Sequence, residues 1–365
     1  MRFSEIDVLN ALSKVQDPDL HQDLVTLKMI KDVKVEGKKI SFTVVLTTPA
    51  CPLKEKIKKD CLEAIHTTLS IDLEVDINMT AEVTSNPNDL SGSIPDIKNI
   101  IAISSGKGGV GKSTVASNLA VALSKTGAKV GLIDADIFGP SVPTMFDVVD
   151  ARPGVVEEDG KTFVLPISKH GIKLISIGFL SPSDQAIVWR GPMASSALRQ
   201  FIGDVKWGSL DYLLIDLPPG TSDIHLTLVQ AVGLTGAVVV TTPQKVALAD
   251  TQKGLAMFNQ VQINVPILGV VENMAYFTPS ELPDNKYYIF GKDGGKKFAE
   301  KHNVPLLGEI PIEQSIREGG DSGEPIALGD SVTAHAFTEL AEKVAQQVAI
   351  RNATKEVTKP LEMNQ

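Results

Sequence analysis

Short apolar runs without polar alternation recur between residues 99 and 272: Asn99 to Ser104, Val130 to Asp134, Leu174 to Ile177, Tyr212 to Asp216, Gly236 to Thr241 and Ile267 to Glu272. A strand that is apolar on both sides is buried on both sides, which marks parallel strands covered by helices. The stretches between them supply those helices. After the first run, Val115, Leu119, Ala120 and Leu123 recur at helical spacing until Gly127, which reads as the stop. The alternation predicts an α/β fold with a doubly wound, mostly parallel sheet.

Upstream the pattern is different. Ile6, Val8, Leu9, Leu12 and Val15 are spaced to line one face of a helix. Met29 to Val35 and Ile40 to Leu46 flank Glu36-Gly37-Lys38, a hairpin turn. A basic helix from Leu53 to about Leu69 and a strand from Leu73 to Ile77 complete a small α+β domain over residues 1–84. Residues 85–97 concentrate proline, glycine and small polar side chains, the composition of a linker. The larger domain then covers residues 98–350, and residues 351–365, which lack apolar periodicity, read as a loose tail.

A chain of 365 residues has room for two such cores. Its net charge of −9 argues against broad electrostatic binding of nucleic acid. No apolar run approaches the roughly 20 residues of a membrane span, and the first residues lack a signal peptide's apolar region. The expected location is the cytoplasm, where a reducing environment keeps Cys51 and Cys61 as thiols.

The turn between the first apolar run and the first helix carries the chemistry. Gly106-Lys107-Gly108-Gly109-Val110-Gly111-Lys112-Ser113-Thr114 is a phosphate-binding loop. Backbone amides must wrap a β-phosphate, and residues without Cβ let the chain curl that tightly. Lys112 would neutralise the β and γ oxygens, Ser113 would offer its hydroxyl to Mg²⁺, and the following helix adds its positive end. A second lysine, Lys107, stands at the front of the loop.

Metal-assisted phosphoryl transfer also needs carboxylates at the same sheet edge. Asp216 ends one apolar run and is the candidate for the Mg²⁺ shell. Leu217-Pro218-Pro219-Gly220-Thr221 follows it, with a glycine amide positioned to sense a γ-phosphate. Asp134 and Asp136 end another run. Asp136 is the candidate for orienting water, and Asp134 for holding the turn.

Lys107 to Ser113, Asp134-Ala-Asp136, Asp216-Leu-Pro-Pro-Gly220 and Glu272-Asn273-Met274 together resemble the deviant-Walker ATPases, specifically the Mrp-type iron-sulfur cluster carriers. Trp189-Arg190-Gly191-Pro192-Met193 is similar to a stretch of the same carriers. Asp17-Pro18-Asp19 and Thr48-Pro49-Ala50-Cys51-Pro52 are similar to the small domain of cluster-assembly factors. The resemblance implies a homodimer in which Lys107 reaches the phosphates of the other subunit. It also implies that Asn273 reads the adenine of ATP with Pro311 packed nearby, and that apoproteins receive the clusters.

One expected feature is missing. Carriers of this family commonly hold a Cys-x-x-Cys pair after the Glu-Asn-Met segment, but Ala275 to Phe290 contains no cysteine. Cys51 is the remaining candidate ligand for a transient iron-sulfur cluster. The start of a helix bearing Lys54, Lys56, Lys58 and Lys59 would favour its thiolate. The alternative is a small residue packed in a turn, as Cys61 is expected to be in its helix. Two other functions stay open: a spatial-positioning ATPase, and a nucleotide-gated scaffold in cluster assembly that holds no cluster itself.

Overall fold

The computed structural model describes residues 3–85, 96–137, 139–180, 191–221, 223–261, 263–279 and 281–354. Most of the expected linker, Trp189 and Arg190, and the last residues of the expected tail lie outside these.

In the small domain, helix α1 (Glu5–Leu12) begins at a capping box. The Ser4 hydroxyl accepts from the Asp7 amide, and the Asp7 carboxylate accepts from the Ser4 amide. Val8, Ala11 and Leu12 turn inward. Ile6 does not: it is 68 % exposed, because two positions before Val8 is about 200° around the helix. Strands β1 (Ile30–Glu36) and β2 (Lys39–Leu46) form the antiparallel hairpin, with Gly37 at φ 66° in the turn. Helix α2 (Lys54–Thr68) crosses over to β3 (Glu74–Ala81), which pairs with β2 in parallel. Ile57, Cys61 and Ile65 of α2 close a separate core against Phe42 and Val44.

The larger domain runs β4 (Ile100–Ser104), α3 (Lys112–Lys125), β5 (Val130–Asp134), α4 (Val142–Met145), β6 (Gly154–Glu158), β7 (Lys161–Leu165), β8 (Ile167–Lys169), β9 (Ile172–Ser176), α5 (Gly191–Gly203), β10 (Tyr212–Asp216), α6 (Asp223–Ala231), β11 (Gly236–Thr241), α7 (Lys245–Phe258), β12 (Ile267–Glu272), α8 (Gly294–His302), β13 (Leu306–Glu309), α9 (Gln314–Ser322) and α10 (Val332–Thr354). Its sheet has eight strands in the order β13-β12-β11-β4-β10-β5-β9-β8. All neighbours are parallel except β8, which turns back antiparallel on β9. Helices α3 and α10 pack one face, through Leu119, Leu123, Leu340 and Val344. Helices α5 and α6 pack the other, through Leu198, Phe201 and Leu228. Among the described residues no helix is long and apolar enough to cross a membrane.

Helix α10 departs from the expected tail. It continues to Thr354, and Arg351 is buried because the last turn lies against the junction between the domains. There the Asn352 side-chain amide donates to the Thr84 carbonyl and to Asn99 Oδ1, at 3.0 and 2.9 Å. One turn and a half earlier, Gln346 Nε2 donates to Asp19 Oδ1 of the small domain at 2.6 Å. Thr48 and Tyr212 share a buried hydrogen bond of 3.4 Å, and Ala50 and Val83 belong to the larger domain's core cluster. The small domain is therefore docked on the larger one through polar contacts at α10 and a narrow apolar seam.

Asn352→Ala removes two of these hydrogen bonds, a loss on the order of 1–2 kcal/mol. The expected outcome is a lower unfolding midpoint together with faster amide exchange around residues 82–84. Unchanged exchange there would show that the junction is held without Asn352.

Candidate nucleotide site

The loop from Gly106 to Gly111 leaves the carboxyl end of β4 at the centre of the sheet, and α3 starts directly after it. Two glycines are required by what surrounds them. A Cβ on Gly106 would overlap the α7 backbone at Asp250 and Thr251. Gly111 caps α3 at φ 80°, and a Cβ there would overlap the Asn273 amide. The loop is thus pressed between α7 and the end of β12.

Lys112, in the first turn of α3, is 5 % exposed and points into the sheet edge. Its ammonium donates to Asp216 Oδ1 at 2.6 Å and lies 3.6 Å from Asp136 Oδ2 and 3.4 Å from the Ser113 hydroxyl. The strands bring these groups together. Asp216 and Asp134 are register partners at the ends of β10 and β5, and Asp136 follows two residues later. Burial pushes Asp216 above the usual carboxylate range, and the Lys112 ammonium opposes that shift. Asp216 Oδ2 is buried without a hydrogen-bond partner. Lys107, by contrast, is exposed and has no ion-pair partner among the described residues.

Asp134 is fully buried and holds the turn after β5. It accepts from the Asp136 and Val142 amides and from the Ser176 hydroxyl, at 3.2, 3.3 and 2.9 Å. Burial, reinforced by the Asp216 carboxylate, pushes its pKa up to about 7. Ser176 ends β9, and nothing in its local sequence pattern marks it as a partner for Asp134. Gly220, the expected phosphate sensor, stands at φ 89° and donates its amide to the Ser105 carbonyl at 2.8 Å. That amide is engaged with the front of the loop here.

A cavity of about 840 Å³ opens beside the loop, with Gly111, Thr114, Asn273, Met274 and Pro311 in its wall. Asn273 and Pro311 are brought together by the adjacent ends of β12 and β13. The Asn273 Nδ2 group donates to the Val110 carbonyl at 2.8 Å, so the residue braces the loop. Its Oδ1 makes no hydrogen bond among the described residues. The far wall comes from α9, through Ile316 and Arg317, which carried no sequence signal. The preceding residue, Glu272, is buried and turns away to cap α8 by accepting from the Gly295 and Lys296 amides.

Cys51 is far from the loop, at the domain seam, and its environment reverses the expected thiolate. Burial pushes its thiol above the ordinary value, and the Asp19, Asp17 and Glu342 carboxylates push the same way. The lysines of α2 point into solvent and do not offset this. Cys61 lies in the small core, where burial raises its pKa to about 12. His66, in the last turn of α2, lies 3.1 Å from the Leu73 carbonyl. Among the described residues no group of three or more His, Cys, Asp or Glu side chains is arranged to hold a metal ion.

A glycine loop between a central strand and its helix, with carboxylates at the ends of neighbouring parallel strands, defines a P-loop NTPase. Residues 96–348 match the family described as NUBPL iron-transfer P-loop NTPase, and the chain belongs to it. Residues 5–77 match the family described as iron-sulfur cluster assembly protein. An iron-sulfur cluster carrier protein of Synechocystis is 51 % identical, over 94 % of this chain and 97 % of its own. One from Escherichia coli is 44 % identical, over 93 % and 91 %. Among solved structures, a nucleotide-binding protein of Archaeoglobus fulgidus in complex with ADP is 38 % identical. It superposes with a TM-score of 0.57, over 67 % of this chain and 93 % of that one.

The Asp134 environment has a pH signature. A carboxyl raised from 3.8 to about 7 keeps in the folded state a proton that the unfolded chain has already released. Its contribution to stability is therefore lost as pH rises through that window. Asp134→Asn cannot ionise, so the difference in unfolding midpoint between variant and wild type should move in the variant's favour between pH 5 and pH 8. A difference that stays constant with pH would mean that Asp134 is ionised throughout.

Proposed function

We propose that the protein is a Mg²⁺-dependent ATPase, acting as a homodimer in the cytoplasm, that carries iron-sulfur clusters to apoproteins. The observation that carries this reading is one chain joining a two-lysine phosphate loop to a domain matched by iron-sulfur cluster assembly proteins. Relatives bearing the carrier name span nearly the whole chain, both domains included.

The residues at the loop divide the work. The amides of Gly108 to Ser113 and the start of α3 receive the phosphates. Lys112 must leave Asp216 and Asp136 to reach a phosphate oxygen, so binding takes the ammonium away from both carboxylates at once. The orphaned Asp216 oxygen and the Ser113 hydroxyl are the hard donors that Mg²⁺ takes. When bound, that ion neutralises charge on the phosphate oxygens. Asp136, released from Lys112, is placed to orient the attacking water. Asn273, with one amide hydrogen committed to Val110, keeps Oδ1 for the exocyclic amine of adenine, beside Pro311. A guanine would turn a carbonyl oxygen toward it.

The Lys107 ammonium has no ion-pair partner within its own subunit among the described residues, and it stands exposed at the front of the loop. A role across the dimer interface, completing the site of the other subunit, accounts for that exposure. Lys107→Ala should leave ATP affinity within a few-fold while lowering turnover on the order of a hundredfold, the scale of one preorganised charge at a transition state. Lys112→Ala should weaken both. Equilibrium binding and steady-state hydrolysis separate the two, and normal turnover by the Lys107 variant would remove the cross-subunit role.

The cargo reading rests on Cys51, one per subunit, with any further ligands supplied by the partner subunit or the acceptor. A specific observation favours the second reading, a nucleotide-gated scaffold. The cysteine pair is missing, and burial at the seam pushes the Cys51 thiol above its ordinary value. A positioning ATPase bound to membrane has less support, since Phe337, Leu340, Val344 and Val348 of α10 are spent on the core. Anaerobically purified protein should contain iron and sulfide, reduced in Cys51→Ala. Absence of both elements from the wild type, with no activation of an apoprotein acceptor, would leave the scaffold reading.

A further inference from the structure

Helices α7 and α8 and the residues just before α8 enclose a groove of about 680 Å³, distinct from the cavity at the phosphate loop. Its charge is one-sided. Lys245, Lys292, Lys297 and Lys301 line it, and no aspartate or glutamate does. All four lysines are exposed, and none has an ion-pair partner within 4.0 Å among the described residues. Lys297 and Lys301 stand four apart, on one face of α8. This is unusual in a chain where 44 acidic residues outnumber 35 basic ones. Asp250 of α7 pairs with Lys253, which is outside the groove.

The floor is apolar. Leu248 of α7 and Phe298 of α8 form it, and Phe290 closes the end toward the loop. The walls are fixed, because the first turn of α8 is pressed onto the Pro243 backbone so closely that a Cβ on Gly294 would overlap it. We propose that this groove binds an acidic segment of a partner protein, with carboxylates on the four lysines and apolar side chains on Leu248 and Phe298.

Two other occupants fit less well. A free phosphate would satisfy the ammonium groups but leave the apolar floor wet. An anionic membrane is met by a protruding basic surface, whereas these lysines ring a depression. A segment that alternates carboxylates with leucine-sized side chains uses both the rim and the floor. Phe290 also lines the cavity beside the loop, so the occupant sits one side chain away from the nucleotide. The proposal stands independently of the cargo.

The test uses the full chain and a fluorescein-labelled peptide of alternating glutamate and leucine, followed by anisotropy. The wild type should bind it, and added salt should weaken the complex. Lys297→Glu with Lys301→Glu should weaken binding roughly tenfold, the scale of two exposed ion pairs reversed in sign. The two glutamine substitutions should fall between. ATP turnover should be unchanged in both. Lys56→Glu with Lys58→Glu on α2 is the control for any surface lysine. The proposal fails if that control weakens binding as much, or if a peptide with glutamine in place of glutamate binds equally well. It also fails if millimolar inorganic phosphate displaces the peptide, or if phosphatidylserine vesicles bind the protein through these lysines while the peptide does not. Loss of the dimer in the Lys297 and Lys301 variant, seen by light scattering, would assign the groove to a second copy of this chain and overturn the proposal.

Discussion

The ammonium of Lys112, buried at the sheet edge between Asp216 and Asp136, is the constraint on which the site is built. A charge removed from water costs several kcal/mol unless it is paired, so the lysine needs carboxylates wherever α3 places it. The parallel sheet supplies them, because adjacent strands end level and Asp216 and Asp134 arrive side by side. The cost of that crowding falls on Asp134, which has no lysine of its own and is held by a hydroxyl and two amides. In the proposed function, a phosphate that took Lys112 as its partner would replace the carboxylates that hold the ammonium here.

A second constraint acts on the loop from behind. Gly106 lies on the α7 backbone, Gly220 is bonded to Ser105, and Asn273 holds Val110. The loop is therefore braced at its front by the α7 backbone and the Gly220 amide, and near its end by the Asn273 side chain. None of the three touches the loop through a charged group. Shape at the loop is set by backbone contacts, and charge is left to the two lysines.

Much of this was legible in the amino-acid pattern. Buried strands are apolar on both faces, so β4, β5, β10, β11 and β12 were visible as runs, and the glycines of the loop announced its curl. The short edge strands were not. β13 and β8 are partly exposed, and their residues carry no clear period. The end of α10 was not legible because its burial depends on Thr84, Asn99 and Asp19, residues more than 250 positions away in the chain. The charge around Cys51 was hidden for the same reason. The neighbouring lysines of α2 were visible locally, but the carboxylates that face the thiol include Glu342 from α10. Ser176 and the α9 wall of the cavity likewise come from elements that only tertiary packing places beside the site.

The position of α10 has a consequence for how the protein is made. The small domain leaves the ribosome before the larger one and has its own core around Ile57, Ile65 and Phe42, so it can fold as a unit during synthesis. Its docking partners Gln346 and Asn352 are translated only after all the strands of the larger domain's sheet. Until they emerge, Asp19 and the Thr84 carbonyl have nothing from α10 to bind, and Cys51 is not yet faced by Glu342. Every newly made chain thus passes through an interval in which this thiol is less confined than it will be in the finished molecule.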